Sequence, residues 1–498
     1  YDEGLDGLNA LSILHDRPLR LYFENREFFD GKATNAEEPL FHYLLAIAIA
    51  FAGPTVLALR LTSAIIGTAT VGVFYAMVRT IWGRNLALLS ALLLAVCRWH
   101  VHFSRTSFRT ILVPLFACLF FWLWWNGVER RSKIYLILSG IALGLGFYTY
   151  FAFQLILPAW LCYIAMRWLV ERDHRGNLRQ AFIFTVAAAL ITVAPLIGYF
   201  ATHHDVATGR VGALSIFAKD FDSALRTLGH NLWVNIHHFW WRGDHVAKHN
   251  VPHMAVFDPL TAAVFLVGLI STIFGVRRDL RNLLVLLWAV WISCASVFSE
   301  GAPNLLRTLG MVPAVVLILG NGYVLLFRAA ERVSRRVAIG ALVAMLSWFV
   351  ANETYRYFTV WRADPAVRRE FNYSYRQLAQ AILSLDKDTD VYLPGDYYSH
   401  CSVRYLLYER KNVRPMVIPD SFLATKDARH DRALFYSHMT FLGNTWMGDL
   451  LPKVFPEGET IWHSTDGFFA AYQIAAGDLL TPDRAPKFPG NTHILLSR

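Results

Sequence analysis

Two pairs of acidic residues near the start of the chain have side chains suited to acid–base chemistry. Asp2 and Glu3 precede a leucine-rich amphipathic stretch, and Glu37 and Glu38 precede Pro39. A carboxylate within hydrogen-bonding distance of an alcohol can take its proton while the alcohol attacks a carbon. Asp is also a good helix N-cap, and acids near a helix start are favoured by the helix dipole. The spacing alone favours capping over catalysis for Asp2.

A basic segment further along the chain offers the opposite charge. Arg105 and Arg109 lie in the Arg- and His-rich segment Arg98–Arg109. We place this segment on the extracytoplasmic side of the membrane, although basic residues usually collect on the cytoplasmic side. Guanidinium groups bind phosphates through charge-assisted hydrogen bonds. We therefore expect Arg105 and Arg109 to meet an anionic leaving group, with Arg307 ranked second. In the alternative interpretation, these arginines extend to lipid headgroups.

The segment Ala201–Asp258 is too long and too rich in polar and aromatic residues to be a simple connector. We expect Asp244, His249 and Asn250 to contact a donor or acceptor sugar, because polar and aromatic groups together suit the alternating faces of a carbohydrate.

The same segment carries three histidines at four-residue steps, His245, His249 and His253. On a helix they would align as candidate metal ligands. Pro252 and Gly243 argue against a regular helix, so we assign no metal ligands here and keep a divalent cation as an alternative.

These features occur in an order that resembles the GT-C glycosyltransferases. More narrowly, the chain is similar to the family 39 or RgtA/B/C/D-like branch, whose relatives include protein O-mannosyltransferases and lipid A aminoarabinose transferases. The resemblance covers roughly residues 1–327. It rests on the first acidic pair and on EEPLFHYLLA (37–46), LRLTSAIIG (59–67), HVHFSRTSFRTILVP (100–114), GLGFYTYFAFQ (144–154) and RGDHVAKHNVP (242–252).

The resemblance implies an inverting glycosyltransferase that moves a sugar from a polyprenyl-phosphate donor to a hydroxyl of a glycan, lipid or protein on the extracytoplasmic face. In that family an Asp of the first outside loop acts as the base, and Asp2 matches it. The acid near the end of that loop corresponds to Glu37 or Glu38. We favour Glu38, which directly precedes the proline.

Two other classes compete with this interpretation. A lipid-linked sugar flippase or transporter would be expected to show internal repeats and polar sites at mid-membrane, whereas this sequence has no evident repeat and its polar residues gather on one side. A polymer ligase also uses polyprenyl-linked donors, but with arginine and histidine rather than a leading acidic pair.

The elements that must position these residues are membrane spans. The chain has 498 residues, of which 55% are hydrophobic and 17% charged, against about half and a quarter in soluble domains. A span needs roughly 20 apolar residues. The sequence therefore predicts a polytopic α-helical membrane protein of GT-C type with about ten spans, near Leu57–Arg79, Leu86–Phe103, Ile111–Asn126, Ile134–Phe151, Leu155–Val170, Phe182–Phe200, Leu260–Val276, Leu283–Phe298, Leu305–Leu326 and Val337–Val350.

The arginines indicate how these spans are oriented. Arg-rich loops at 79–84, 130–133, 167–179, 277–281 and 328–336 should face the cytoplasm, because short cytoplasmic loops collect Lys and Arg. The first segment, the loop 201–258 and the C-terminal tail are then extracytoplasmic, in a protein of the plasma (inner) membrane. The net charge of +10 is mostly this topology signal; it does not indicate nucleic-acid binding, since the basic residues are not gathered on one soluble face.

We expect three regions in the chain: a first extracytoplasmic loop with interfacial helices (1–56), a transmembrane bundle that includes the loop 201–258 (57–351), and a soluble extracytoplasmic α/β domain (352–498). Because the sequence starts at Tyr1 in a polar outside segment, we also expect a membrane helix before it. Membrane lipid is an expected partner, and nucleic acid is not.

Overall fold

Helices form most of the chain in the computed structural model, which describes residues 2–16, 19–25, 36–206, 215–218, 221–416, 432–437, 451–452 and 455–475. The helices of the first part are α1 (Asp2–Asp16), α2 (Leu40–Ala52), α3 (Val56–Trp82), α4 (Arg84–Val96), α5 (Arg98–Arg105), α6 (Leu112–Glu129), α7 (Lys133–Gly146), α8 (Ile156–Val170), α9 (Arg175–Thr202), α10 (Phe221–His237), α11 (Pro259–Gly275), α12 (Arg281–Val297), α13 (Val312–Glu331) and α14 (Arg335–Tyr355). A π-helical turn over Arg356–Trp361 extends α14.

All ten predicted spans lie on helices, and the predicted polytopic helical membrane fold is confirmed. Within the described residues, six helices are long and apolar enough to cross a membrane. The helices α4 and α5, inclined at 56° across Cys97, would make a seventh span. The other three predicted spans lie on α7, α11 and α12, which are shorter apolar helices of 14, 17 and 17 residues.

Small residues allow the spans to approach closely. Gly268 of α11 and Gly322 of α13 lie where the two helices meet. A Cβ at either position would collide with a backbone carbonyl of the other helix. Association of helices in lipid depends on such close packing. The start of α11 is set by Asp258, whose carboxylate accepts hydrogen bonds from the N–H groups of Leu260 (3.0 Å) and Thr261 (3.3 Å), with Pro259 in the first turn.

Four of the five Arg-rich loops meet at one end of the bundle. They line a cavity of about 710 Å³ whose walls include Arg130, Arg167 and Arg281. The Arg281 guanidinium also donates to the backbone carbonyl of Ile81 at 2.6 Å. The loops that the sequence assigns to one side of the membrane are therefore neighbours in space.

This arrangement yields a test of orientation. In a variant without the native cysteines, Arg131→Cys should react with a membrane-impermeant maleimide only after permeabilisation, and Lys387→Cys should react in intact cells. Both positions are exposed. The opposite pattern would mean that the whole topology is inverted.

The C-terminal part contains a small mixed sheet. Its elements are α15 (Pro365–Glu370), α16 (Tyr373–Ser384), β1 (Asp390–Pro394), α17 (Gly395–Ser399), α18 (Cys401–Leu406), β2 (Val413–Met416), β3 (Arg432–Ser437), β4 (Glu459–His463) and β5 (Phe469–Ile474). The strand order is β2-β1-β3-β5-β4, with β1 parallel to β2 and β3 and the remaining pairs antiparallel. Leu378, Ile382, Leu393 and Phe469 are core residues of this part. The sheet agrees with the predicted α/β tail.

Contacts divide the chain into two compact units. One comprises Tyr1–Leu11, Ala52–Val56 and Arg368–Arg498, and the other Ser12–Phe51 and Leu57–Val367. In the first unit, α1 packs against α18: a Cβ at Gly7 would lie 2.5 Å from the ring of Tyr405, and one at Gly4 would lie 2.6 Å from the backbone nitrogen of Ser402. The predicted boundaries at 56 and 351 stay a prediction.

Candidate functional site

A buried cluster of charges joins the second acidic pair to Arg109. The Nε of Arg109 donates to Glu38 Oε2 at 3.1 Å, and its Nη1 donates to Glu37 Oε1 at 2.5 Å. The side chains of Arg109, Glu37 and Glu38 are only 11%, 6% and 4% exposed. The other Glu37 oxygen lies 3.2 Å from Nε2 of the buried His42. A single guanidinium therefore holds both carboxylates.

Four chain segments build this cluster. Glu37 pairs with Phe23 through two backbone hydrogen bonds of 2.7 and 2.9 Å, which place it just before α2. The first residue of α2, Leu40, donates its N–H to the Tyr148 carbonyl at 3.0 Å. Arg109 opens a 3-10 turn that leads into α6, and its guanidinium lies 5.5 Å from the centre of the Tyr150 ring. Three of the motifs that carry the resemblance thus meet in one place.

Arg105 lies in a different environment from Arg109. It is exposed at the end of α5, and its guanidinium packs on the rings of Tyr357 (5.5 Å) and Phe358 (4.9 Å). Both aromatic residues belong to the π-helical turn Arg356–Trp361, a type of irregularity that is frequent at functional sites. Among the described residues Arg105 has no carboxylate partner, so its guanidinium is available to an anion.

The polar loop that follows α10 docks on α5. Arg98 donates from Nη2 to the carbonyls of Ala255 and Val256, both at 3.0 Å, and His102 donates from Nε2 to the Lys248 carbonyl at 2.5 Å. The motif RGDHVAKHNVP (242–252) therefore lies beside the segment that carries Arg105 and Arg109. The loop consists of turns rather than a helix.

Asp244 is the hub of this loop. Its side chain is fully buried and accepts hydrogen bonds from the N–H groups of Val246 (2.8 Å) and Leu305 (2.9 Å) and from Nδ1 of His249 (3.0 Å). Burial alone would raise the pKa of Asp244, but the hydrogen bonds from His249 and from the backbone outweigh it and leave the pKa below its usual value. Asp244 thus holds the loop in place in its ionised, carboxylate form.

Asn250 and His249, the other two residues predicted to contact a sugar, also have partners within the protein. Asn250 donates to the Met254 carbonyl at 2.6 Å and so shapes the loop from within. The ring of His249 faces Phe103 and Phe108, with centroid distances of 6.3 and 6.5 Å. Contact of Asp244, His249 or Asn250 with a sugar stays a prediction. For Asp244 it would require the carboxylate to leave its present donors.

The three histidines at four-residue steps do not converge. His245 and His253 lie with ring centroids 6.2 Å apart, and Nδ1 of His253 accepts from Arg242 at 3.3 Å. His249 is directed instead at Asp244. Within the described parts of the chain these histidines do not form a group of three metal ligands, because the loop lacks the helical repeat that would align them.

Arg307 and Asp2 complete the predicted site residues. Arg307 donates from Nη1 to the Glu300 carbonyl at 2.7 Å and to the Ser299 hydroxyl, so it braces the turn after α12. Asp2 lies in the first turn of α1, is half-buried, and belongs to the unit that contains the tail. The roles predicted for Asp2, Glu38, Arg105, Arg109 and Arg307 in catalysis stay predictions.

Sequence reasoning missed His42 and Tyr150 as members of the charge cluster. His42 follows Glu37 by five residues, in the first turn of a helix that starts at Leu40. That spacing, an acid just before the helix and a histidine within its first turn, was a usable signal. Tyr150 carries no such local signal, because only tertiary packing brings its ring under Arg109.

Comparisons with known proteins agree with this architecture. Residues 36–199 match the model of the dolichyl-phosphate-mannose-protein mannosyltransferase family. The fold is similar to ArnT from Cupriavidus metallidurans bound to undecaprenyl phosphate, with a TM-score of 0.54 and 12% identity over 98% of this chain and 95% of that one. It is also similar to the archaeal oligosaccharyltransferase AglB from Archaeoglobus fulgidus in complex with an inhibitory peptide and a dolichol-phosphate, with a TM-score of 0.52 and 13% identity over 94% and 70% of the two chains. A search of curated protein sequences gave no significant match.

The fold is thus that of an integral membrane protein of GT-C architecture. The resemblance to GT-C glycosyltransferases related to the O-mannosyltransferases and aminoarabinose transferases is confirmed, and the charge cluster of Glu37, Glu38 and Arg109 lies inside the region that matches the mannosyltransferase model.

Proposed function

We propose that this protein is an inverting glycosyltransferase that moves a sugar from a polyprenyl-phosphate donor to a hydroxyl acceptor on the extracytoplasmic side of the plasma membrane. The observation that carries the proposal is the buried Glu37–Glu38–Arg109 cluster, which three motifs build within the family-matched residues. Both structural relatives described above were solved with a polyprenyl phosphate or dolichol-phosphate, which supports a donor of that chemistry.

The reaction is a single displacement at the anomeric carbon. The acceptor oxygen forms a bond to that carbon, its proton goes to a carboxylate, and the bond from the carbon to the phosphate oxygen breaks. The electron pair of that bond leaves with the polyprenyl phosphate. We assign the base to Asp2 and keep Glu38, then Glu37, as the carboxylates that bind or orient the acceptor.

The developing phosphate charge needs a cation. Arg105 suits this role, because its guanidinium is exposed and lies on two aromatic rings without a carboxylate partner among the described residues. Arg109 is engaged by Glu37 and Glu38. We therefore assign Arg109 to positioning of the two carboxylates, and Arg105 rather than Arg109 to the phosphate. Arg307 is secondary, since it already braces the turn beside Ser299.

The remaining groups define the surroundings of the donor. The loop held by Asp244 would present His249 and Asn250 to the donor or acceptor sugar. The proposal also allows for a divalent cation. Oε2 of Glu37 and Nε2 of His42 lie 3.2 Å apart, and a carboxylate oxygen and an imidazole nitrogen are ligand types for such ions. Such an ion would supply Lewis-acid stabilisation of the leaving phosphate. The acceptor is a glycan, lipid or protein hydroxyl.

Arg105→Ala should slow transfer by a factor on the order of 10² to 10³, as does the loss of one preorganised stabiliser of developing charge. The assay incubates purified protein in detergent with a panel of radiolabelled undecaprenyl-phosphate sugars and membrane extract as acceptor, and measures polyprenyl phosphate release and label transfer. Arg105→Lys should restore part of the rate.

The matched control is Arg172→Ala, an exposed arginine in one of the Arg-rich loops, which should leave the rate unchanged. Normal turnover in Arg105→Ala would remove Arg105 from the site. A protein that never releases polyprenyl phosphate from any donor of the panel, yet moves lipid-linked sugar across vesicles, would be a flippase instead.

A further inference from the structure

The cavity where the Arg-rich loops meet is lined by charged residues from four places in the chain. The ends of α3, α6 and α8 and the turn before α12 form its walls. Its volume of about 710 Å³ lies within the range of about 300–1,000 Å³ that is typical of small-molecule sites. We call this space the Arg-rich cavity. Its charged lining residues are Glu129, Arg130, Arg167, Glu171, Arg278, Asp279 and Arg281.

Two of these arginines are held in place by carboxylates. Nε of Arg167 donates to the two Glu171 oxygens at 3.0 and 2.9 Å, and its Nη2 donates to Oε2 at 2.6 Å. Nε of Arg281 donates to the two Asp279 oxygens at 2.9 and 2.7 Å, and its Nη2 lies 2.6 Å from Oδ2. The charges of Glu171 and Asp279 are therefore each compensated by one arginine.

The other edge of the Arg167 guanidinium has no such partner. The side chain is only 7% exposed, and its buried Nη1 makes no hydrogen bond to the part of the chain that the structure describes. The rings of Trp125, Trp124 and Tyr163 surround the guanidinium at 5.3, 6.0 and 6.0 Å. A buried charged donor without an acceptor is costly. This edge therefore indicates a place for an acceptor from outside the chain.

Arg130 and Arg278 add two further guanidinium groups to the cavity. Both residues are exposed, and neither guanidinium forms an ion pair or a hydrogen bond with a described residue. Of the three lining carboxylates, Glu129 alone is likewise unpaired within the described ranges. The unpaired groups thus carry a positive excess, which suits an anion.

An apolar surface adjoins the cavity at the end of α8. Val170, which lines the cavity, is 59% exposed, and Leu169 beside it is 64% exposed. Both belong to a helix that is long and apolar enough to cross a membrane. A lipid with its headgroup in the cavity would find apolar side chains for its acyl chains directly next to it. Basic pockets between membrane helices are typical sites for anionic headgroups.

We propose that the Arg-rich cavity binds a phosphate group, supplied by the headgroup of an anionic phospholipid in the leaflet on that side of the membrane. The phosphate oxygens accept hydrogen bonds from Nη1 of Arg167 and from the guanidinium groups of Arg130 and Arg278. The acyl chains lie along Leu169 and Val170.

This site is separate from the candidate active site. The cavity lies at the end of α6, whereas Arg109 lies in the turn that leads into the start of that helix. The 18 residues of α6 span about 27 Å at 1.5 Å per residue. The inference therefore does not depend on the proposed function.

The experiment measures lipid binding to the full chain, delipidated in detergent, by native mass spectrometry. The probe is phosphatidylglycerol, and phosphatidylcholine, whose choline compensates the phosphate charge, is the lipid control. The cavity variant is Arg130→Ala/Arg278→Ala, at two exposed positions where normal melting is expected. The matched control is Arg332→Ala/Arg336→Ala, which removes two exposed arginines of an Arg-rich loop that does not line the cavity. Arg167→Lys keeps the buried charge but lacks the second donor edge.

The cavity variant should bind phosphatidylglycerol about tenfold or more weakly than the parent, since each basic residue near an anionic headgroup contributes about fivefold in affinity. Arg167→Lys should also bind it more weakly while melting like the parent. The matched control should bind it as the parent does, and phosphatidylcholine should bind all variants equally weakly.

Glycerol 3-phosphate, added at constant ionic strength, distinguishes the two sources of a phosphate group. Phosphatidylglycerol should raise the melting temperature of the parent, and glycerol 3-phosphate should not. An equal rise with glycerol 3-phosphate would overturn the lipid as the ligand and identify a soluble phosphate ester instead. Equal binding of phosphatidylglycerol to the parent and the cavity variant would overturn the site itself. Equal weakening in both double variants would do the same, because the arginines would then act only as diffuse surface charge.

Discussion

Arg109→Ala should strongly destabilise the protein and abolish transfer at the same time. It would leave Glu37 and Glu38, 6% and 4% exposed, without the guanidinium that contacts both. Removing one partner of a buried ion pair costs about 3–5 kcal/mol, because the remaining charge is neither solvated nor compensated. We expect a lower melting temperature in detergent, a lower yield of monodisperse protein and no detectable turnover.

A rescue separates positioning from phosphate binding. Glu37→Gln and Glu38→Gln, added to Arg109→Ala, remove the uncompensated charges, so thermal stability should return towards that of the parent while transfer stays absent. Arg109→Lys should rescue only partly, because an ammonium cannot reproduce the fixed geometry of two guanidinium hydrogen bonds. Arg105→Ala, at an exposed position, should melt like the parent.

The opposite result would be equally informative. If Arg109→Ala melts like the parent and loses only transfer, then Arg109 is not needed to hold the carboxylates, and it meets the phosphate as the sequence first suggested. Measuring melting and turnover on the same preparations therefore decides between the two roles.

The membrane fold could be predicted because its signal is local. An apolar helix such as α3 or α9 identifies itself by length and composition alone. The number of spans could not be fixed in this way. The helices α7, α11 and α12 have 14 to 17 residues, about 21–26 Å at 1.5 Å per residue, so whether each crosses depends on its tilt and neighbours.

The candidate site was predictable in part for a related reason. The motifs containing Glu37, Arg109 and Asp244 were found from residue types, and two of these residues meet in the structure. Their partners could not be found from the sequence. That Arg109 binds two carboxylates depends on the Phe23–Glu37 pairing and on the turn at Tyr148, and the burial of Asp244 depends on Leu305, far along the chain.

Asp2→Asn should reduce transfer by a factor on the order of 10² or more while leaving folding nearly unchanged. An amide cannot take a proton from an alcohol, so general-base catalysis is lost. The amide oxygen can still accept a backbone hydrogen bond at the start of a helix, so a capping role would be retained. Asp2 is half-buried in the first turn of α1, which makes either role compatible with its position.

The measurement compares turnover of the radiolabelled donor with melting temperature for Asp2→Asn, Asp2→Ala and the matched control Glu3→Gln. Loss of turnover in both Asp2 variants, with normal melting of Asp2→Asn and normal turnover of Glu3→Gln, identifies a base. If Asp2→Asn keeps its turnover and only Asp2→Ala melts early, Asp2 is a cap. The base would then be sought at Glu38 or Glu37, and Glu38→Gln is the first variant to assay because Glu38 directly precedes Pro39 in the motif.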